Sequence, residues 1–205
     1  MSREILASVE RGLAARPGQV GALPLVGALA TLFPGGSLRR GSTVAIVQGV
    51  WPGATSLALS LVAGPSATGS WCAVVGGAEL GLVAVARSGV DLGRLVLVPS
   101  PGPEWAAVTA TLLEGFDVVV LRPPVAASPA EARQLEAHAR ERRSVLTVLA
   151  SAWPGRPEVV LEVVGCTWQG LGEGFGYLRG RELEVVASGR GAACRPERAR
   201  LQPAC

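Results

Sequence analysis

The stretch TVAIVQGVWPGATSLALSLVA, residues 43–63, predicts the fold class of the chain. Its first part, TVAIVQ, is a short apolar run rich in β-branched residues, which is typical of a strand buried on both faces. A turn that contains Gly49 and Gly53 follows, and SLALSLVA then has the composition of a buried helix. A strand, a glycine-bearing turn and a helix with a hydroxyl residue, Ser56, on its first turn form the setting of a phosphate-binding loop.

The same alternation continues downstream and predicts a mainly parallel sheet with helices between the strands. The strand-like runs lie at residues 43–48, 71–75, 94–98, 117–121 and 144–149, and the helix-like segments lie near 55–63, 79–88, 103–115 and 129–143. After Pro157 the pattern changes to short strands joined by glycine turns, which indicates antiparallel pairing. The expected fold class is α/β, a three-layer core with a mainly parallel sheet and an antiparallel C-terminal edge.

We divide the chain into four segments. They are residues 1–31, an N-terminal helical segment with a helix over 3–14; residues 32–165, the core; residues 166–189, antiparallel edge strands; and residues 190–205, a basic, irregular and flexible tail. The best-defined helix follows Ser128, which with Glu131 predicts a capping box. Glu136 and Arg140 are spaced to share one face of that helix.

Composition and charge exclude several classes of protein. With 49% hydrophobic and 17% charged residues the chain is globular. Residues 41–78 contain no charge, but glycines and prolines cut this run into pieces too short to span a membrane. Cys72, Cys166, Cys194 and Cys205 are widely spaced, which favours neither a zinc site nor a disulfide framework. We expect a cytoplasmic protein, because the N-terminus lacks the apolar core of a signal peptide.

The phosphate-loop pattern G-x-x-x-x-G-K-[ST] is only half present. Gly49 and Ser56 occupy its first and last positions, whereas Ala54 stands at the second glycine and Thr55 at the lysine. The lysine neutralises phosphate charge and the hydroxyl holds Mg²⁺, so the loop lacks its main cation. These residues predict a degenerate nucleotide loop.

Residues 32–164 resemble the core of RecA-type ATPases in the order and spacing of their motifs. The resemblance rests on LFPGGSLRRGSTVAIVQG, on WCAVVGGAELGLVAVARSGVDLGRLVLVPSP and on GFDVVVLRPP. In active members the last of these strands ends in an aspartate linked to Mg²⁺, and Arg122 stands there in this chain. The catalytic glutamate falls on or beside Ala78, next to Glu79, and the glutamine that senses the γ-phosphate falls near Ser151. The resemblance therefore implies a RecA-like protein that is not an enzyme and holds no cofactor or metal.

Among such proteins the chain is most similar to the short ImuA-type accessory proteins of high-GC bacteria. The shared features are the length, the degenerate loop, WPG at residues 153–155 and the pattern WQGLGEGFGYLRGRELEVVASGRG followed by an Arg- and Pro-rich end. This resemblance implies a role in a damage-inducible translesion-synthesis complex. The partners would be an ImuB-like inactive Y-family polymerase homologue and, through it, an error-prone DNA polymerase and the sliding clamp.

The C-terminal region is the expected partner-binding region, because the excess positive charge lies there. Its candidate residues are Trp168, Arg179, Arg181, Arg190, Arg195, Arg198 and Arg200. We expect deletion of residues 190–205 to abolish capture of the partner and leave the domain folded. Trp51 and Trp153 follow predicted strands and either fill the vacated nucleotide crevice or form an aromatic patch. Arg39 and Arg40 are expected to be a solvated pair.

Two other functions stay open at this stage. A cell-division inhibitor similar to SulA, another RecA relative without the ATPase motifs, would cause filamentation on overexpression. A DNA-binding RecA paralogue would use the basic tail, and its binding would weaken steeply with salt.

Overall fold

A computed structural model describes residues 21–170 and 180–203; the helix expected over 3–14 and the candidate residue Arg179 lie outside these ranges. The strands are β1 (Leu23–Pro24), β2 (Ser37–Leu38), β3 (Thr43–Val47), β4 (Cys72–Val75), β5 (Leu95–Val98), β6 (Val118–Leu121), β7 (Val145–Ala150), β8 (Val159–Gln169), β9 (Gly180–Gly189) and β10 (Glu197–Leu201). The α-helices are α1 (Ala54–Ala67), α2 (Leu82–Arg87), α3 (Trp105–Gly115) and α4 (Pro129–Arg142). Short 3₁₀ turns cover Gly27–Leu32, Pro34–Gly36, Leu92–Arg94 and Gly191–Ala193.

Eight strands form one mixed sheet in the order β10-β9-β8-β3-β7-β6-β4-β5. The strands from β8 to β5 in this order pair in parallel, and β9 and β10 add antiparallel pairs at one edge. The predicted α/β class with an antiparallel C-terminal edge is thus confirmed. β1 and β2 form a separate two-stranded antiparallel sheet.

Helices cover both faces of the sheet. Successive residues of each central strand point to opposite sides, so each strand contributes side chains to both helical layers. In β6, Val118 and Val120 pack in the cluster that contains the buried side of α1, whereas Val119 and Leu121 pack with α3 and α4. All four side chains are nearly free of solvent contact. Full burial of one such side chain is worth roughly 1.5–3 kcal/mol, so both clusters hold the three layers together.

Helix α4 begins as the sequence predicts. The Ser128 side chain accepts from the Glu131 N–H, and the Glu131 carboxylate accepts from the Ser128 N–H at 2.7 Å, which completes the capping box. Arg143 ends the helix in the left-handed conformation, with φ 56°. None of the helices in the described ranges is long and apolar enough to cross a membrane.

Residues 190–203 contain regular structure where the sequence predicts an irregular tail. Residues Glu197–Leu201 form β10 and pair with β9. Leu201 is buried against the core, and Arg198 and Arg200 bridge to Glu184 and Glu182 on the neighbouring strand. The prediction was wrong here because the alternation of charged and small residues in ERARL conceals an edge strand whose charges pair across the sheet.

Arg39 and Arg40 are not both solvated, which differs from the sequence-based expectation. Arg39 is exposed and bridges to Glu158, but the side chain of Arg40 is only 7% exposed and lies 2.6 Å from Asp117. Asp117 also accepts the backbone N–H of Trp71 at 3.0 Å. This buried contact ties the turn before β3 to the turn before β6.

Candidate functional site

The turn predicted to be a phosphate loop lies at the carboxyl end of β3 and leads into α1. The helix begins at Ala54, and Gly53 precedes it with φ 133°, a conformation that glycine adopts without strain. The first helical hydrogen bond runs from Leu57 N–H to the Gly53 carbonyl at 2.9 Å. At the tip of the loop Val50 is 98% exposed and Trp51 is 48% exposed. The strand, turn and helix predicted from the sequence are therefore present.

Strand β9 closes over the start of α1. The guanidinium of Arg181 donates to the hydroxyl of Ser56, the group that would hold Mg²⁺ in an active loop. Leu183 lies so close to Gly53 that an added Cβ there would meet its Cδ2 at 2.7 Å. The Arg181 guanidinium also lies 5.5 Å from the centre of the Trp168 ring, a cation–π contact. The antiparallel edge therefore supplies a cation that is already bonded to the loop.

Arg122, at the position of the metal-linked aspartate, forms an ion pair with Glu79. Its backbone is fixed by a hydrogen bond from its N–H to the Val75 carbonyl at 2.8 Å. Gly76 must be glycine, because a Cβ there would lie 2.2 Å from the Arg122 carbonyl oxygen. Arg122 and Glu79 thus form an exposed ion pair at the carboxyl edge of the sheet, where the guanidinium would repel a divalent cation.

Little space remains between this ion pair and the start of α1. The cavity there has a volume of about 20 Å³, close to that of one water molecule. Thr55 lines it at the lysine position, and Leu59 and Leu80 contribute apolar walls. A wider cleft of about 690 Å³ opens along the carboxyl edge of the sheet and includes Ser151, near the position of the sensing glutamine. Its charged lining groups within the described residues are Arg122 and Glu79.

The predicted partner-binding residues fall in several places. Trp168, 42% exposed, lies with Arg181 beside the start of α1. Arg190 donates to backbone carbonyls of residues 156 and 157, and Arg195 is exposed. Arg198 and Arg200 are paired with glutamates of β9. The charge excess expected at the C-terminal end is therefore partly neutralised by neighbouring strands.

The two tryptophans expected after the strands have different environments. Trp51 is half-exposed on the loop, as an aromatic patch requires. Trp153 instead packs against the α3–α4 face, and its Nε1 donates to Glu136 at 2.9 Å. Glu136 also accepts the N–H of Arg156 at 2.7 Å, so it does not depend on Arg140 for a partner. Gly155 permits this contact, since a Cβ would lie 2.1 Å from the Glu136 carboxylate.

Sequence reasoning missed the roles of Arg181 and Glu79 at the loop. Arg181 stands 125 residues from Ser56, and only the return of β9 across the sheet brings the two together. Glu79 carries a signal in the sequence, because it lies four residues after the end of β4. In residues 21–170 and 180–203, no group of three or more His, Cys, Asp or Glu side chains is placed to hold a metal ion.

Comparison with known proteins identifies relatives of unassigned function. The family described as MT3502 N-terminal domain matches residues 31–155, which include the loop, Glu79 and Arg122. The uncharacterized protein Rv3395c of Mycobacterium tuberculosis is 41% identical over 108 residues, 52% of this chain and 53% of that protein. The chain thus spans about half the length of this curated relative. Strands β8 to β10, including Arg181, lie beyond the family match.

Proposed function

The chain belongs to the MT3502 N-terminal domain family, and we propose that it is a non-catalytic, RecA-like accessory protein of a damage-inducible translesion-synthesis complex. It would act in the cytoplasm as a scaffold through protein–protein contacts. The resemblance of its sequence to ImuA-type proteins supports this proposal. The mainly parallel eight-stranded sheet with helices on both faces is compatible with a RecA-like core.

One observation carries the proposal: the groups that would contact a nucleotide already contact each other. Phosphoryl transfer depends on charges that position and stabilise the phosphates and the metal. In this chain Thr55 replaces the lysine, Arg181 is bonded to Ser56, and Arg122 is paired with Glu79. The same fold elements would then serve to present a binding surface, because the side chains that would contact ATP are bonded to other side chains of the chain.

The surface that we assign to the ImuB-like partner lies around the loop and the adjoining end of β8. It includes Val50, Trp51 and Trp168, all exposed, with Arg181 behind the Trp168 ring. Trp and Arg are enriched among residues that dominate binding energy, and exposed large apolar side chains mark contact sites. The error-prone polymerase and the sliding clamp would then be reached through the ImuB-like protein.

The test is capture of purified ImuB-like protein by the Trp51→Ala and Trp168→Ala variants. We expect each to weaken binding by at least about thirtyfold, since a hot-spot residue contributes 2 kcal/mol or more. Leu92→Ala is the matched control, because Leu92 is 42% exposed on the short turn before β5. Unchanged capture by both tryptophan variants would refute this surface.

Deletion of residues 190–205 is a poorer test than the sequence suggested. It would remove β10 from the sheet and Leu201 and Ala193 from the core. Loss of capture after that deletion would therefore also follow from damage to the fold. Single substitutions on the exposed surface avoid this ambiguity.

A further inference from the structure

A cationic groove lies on the α4 face of the molecule. It has a volume of about 580 Å³ and runs between α4 and the crossover from β7 to β8. Four arginines line it: Arg133, Arg140, Arg156 and Arg190. Arg133 and Arg140 are seven residues apart, so they share one helix face about 10 Å apart along the axis.

The charges in this groove are available to a ligand. The side chains of Arg133, Arg140 and Arg156 are exposed, and within residues 21–170 and 180–203 none of them pairs with a carboxylate. Arg190 donates to backbone carbonyls, and no carboxylate in the same described ranges pairs with it. By contrast Arg39, in the turn before β3, lies against the carboxylate of Glu158.

Glu136 is the one carboxylate among the described lining residues of the groove, and it already has hydrogen-bond donors. Glu136 is buried, and its Oε1 accepts the Nε1–H of Trp153 at 2.9 Å and the N–H of Arg156 at 2.7 Å. It therefore holds the crossover in place and orients the wall that carries Arg156. The groove presents four guanidinium groups around a carboxylate that faces inward.

We propose that this groove binds the phosphodiester backbone of a nucleic-acid strand. Guanidinium groups bind phosphate oxygens in a bidentate manner, and such contacts need no base recognition. The remaining described lining residues are Pro154 and Gly155, which offer neither an aromatic ring for base stacking nor an apolar pocket for peptide side chains. This lining favours sequence-independent backbone binding over recognition of an acidic polypeptide.

The groove is separate from the surface assigned to the protein partner. That surface is built from the loop after β3 and the end of β8, whereas the groove is built from α4 and the crossover. The inference does not depend on the proposed scaffold function. A protein that holds both contacts would place its protein partner close to a nucleic-acid strand.

The expected salt dependence follows from the number of arginines. Each phosphate neutralised on a single strand changes the slope of log K against log[salt] by about −0.7, so four contacts give about −2.8. Affinity should then fall roughly fiftyfold between 50 and 200 mM salt. Removal of three of the arginines should reduce the slope to about −0.7 and the loss to about threefold.

The experiment is a titration of a fluorescent twenty-residue oligothymidylate by anisotropy at 50, 100 and 200 mM salt. The test variant is Arg133→Gln, Arg140→Gln and Arg156→Gln together, all at exposed side chains. The matched control, with the same change in net charge, is Arg142→Gln, Arg198→Gln and Arg200→Gln, whose side chains lie in exposed ion pairs elsewhere. Thermal melting checks that both variants fold.

The proposal predicts that the groove variant loses most of its affinity and salt slope, while the control retains at least half of the wild-type affinity. Equal losses in both variants, or the absence of binding by the wild type at 50 mM salt, would overturn it. The proposal would also be overturned if a labelled hexaglutamate peptide bound through the groove while the oligonucleotide did not bind. The groove variant should still capture the ImuB-like partner, which separates this test from that of the scaffold.

Discussion

The buried ion pair between Arg40 and Asp117 makes the stability of the domain sensitive to one substitution. The two side chains are 7% and 6% exposed, and their nearest charged atoms are 2.6 Å apart. Asp117→Asn preserves the shape and an oxygen that can accept the Trp71 N–H, but leaves the charge of Arg40 without a carboxylate. Loss of one partner of a buried pair costs about 3–5 kcal/mol, a large part of a typical folding free energy of about 5–15 kcal/mol.

Urea unfolding followed by fluorescence measures this effect. With a slope of about 2 kcal/mol per molar, Asp117→Asn should lower the midpoint by roughly 2 M. The double variant Arg40→Met with Asp117→Asn should lose less, because it removes both charges from the interior.

The control for this prediction is Arg198→Met, which breaks an exposed pair with Glu184. Its free energy of unfolding should change by no more than about 0.5 kcal/mol. An unchanged midpoint for Asp117→Asn, or a double variant at least as unstable as Asp117→Asn alone, would refute the assignment of a stabilising buried pair.

Three further predictions concern local contacts. Gly155→Ala should lower the free energy of unfolding by about 1.5–3 kcal/mol, measured by urea unfolding, because the new methyl group displaces a charge-assisted hydrogen bond to the buried glutamate of α4. Burial raises the pKa of the Cys72 thiol, and a nearby carboxylate raises it further, so peptide mapping after iodoacetamide at pH 8 should find alkylated Cys194 and unmodified Cys72 in the folded protein. Hydrogen bonds from Ser128, chiefly that of its side chain, lower the pKa of Glu131 from 4.5; the capping contribution is therefore complete above that pH and is lost as the pH falls through the lower folded value. In an NMR titration Ser128→Ala should move this pKa back toward 4.5.

The parts of the fold that were predictable depend on local signals. The apolar runs of β3, β4, β6 and β7 have the length and composition of central strands, and the structure places them there. The start of α4 follows from the capping box, which joins residues only three apart. The antiparallel edge was predictable from the glycine-separated pattern after Pro157.

The remaining features depend on contacts between distant residues. Arg181 reaches Ser56 and Arg40 reaches Asp117 only after the sheet has formed, over separations of 125 and 77 residues. A charge pattern in the sequence does not reveal such partners, so Arg40 was expected at the surface. The cationic groove was missed for the same reason, because its four arginines come from a helix, a crossover and the end of β9.

The most direct test of the account is a calorimetric titration of the wild-type protein with a non-hydrolysable ATP analogue and Mg²⁺. Because Thr55 replaces the lysine and both arginines at the loop are engaged with the chain itself, we predict no saturable binding at millimolar nucleotide. Restoring the motif with Ala54→Gly and Thr55→Lys should not create a site, since the Arg122 guanidinium would still repel Mg²⁺ and Arg181 would still be bonded to Ser56. Micromolar binding by the wild type that is lost in Arg181→Ala or Arg122→Ala would contradict the account, because an arginine would then have taken over the role of the missing lysine.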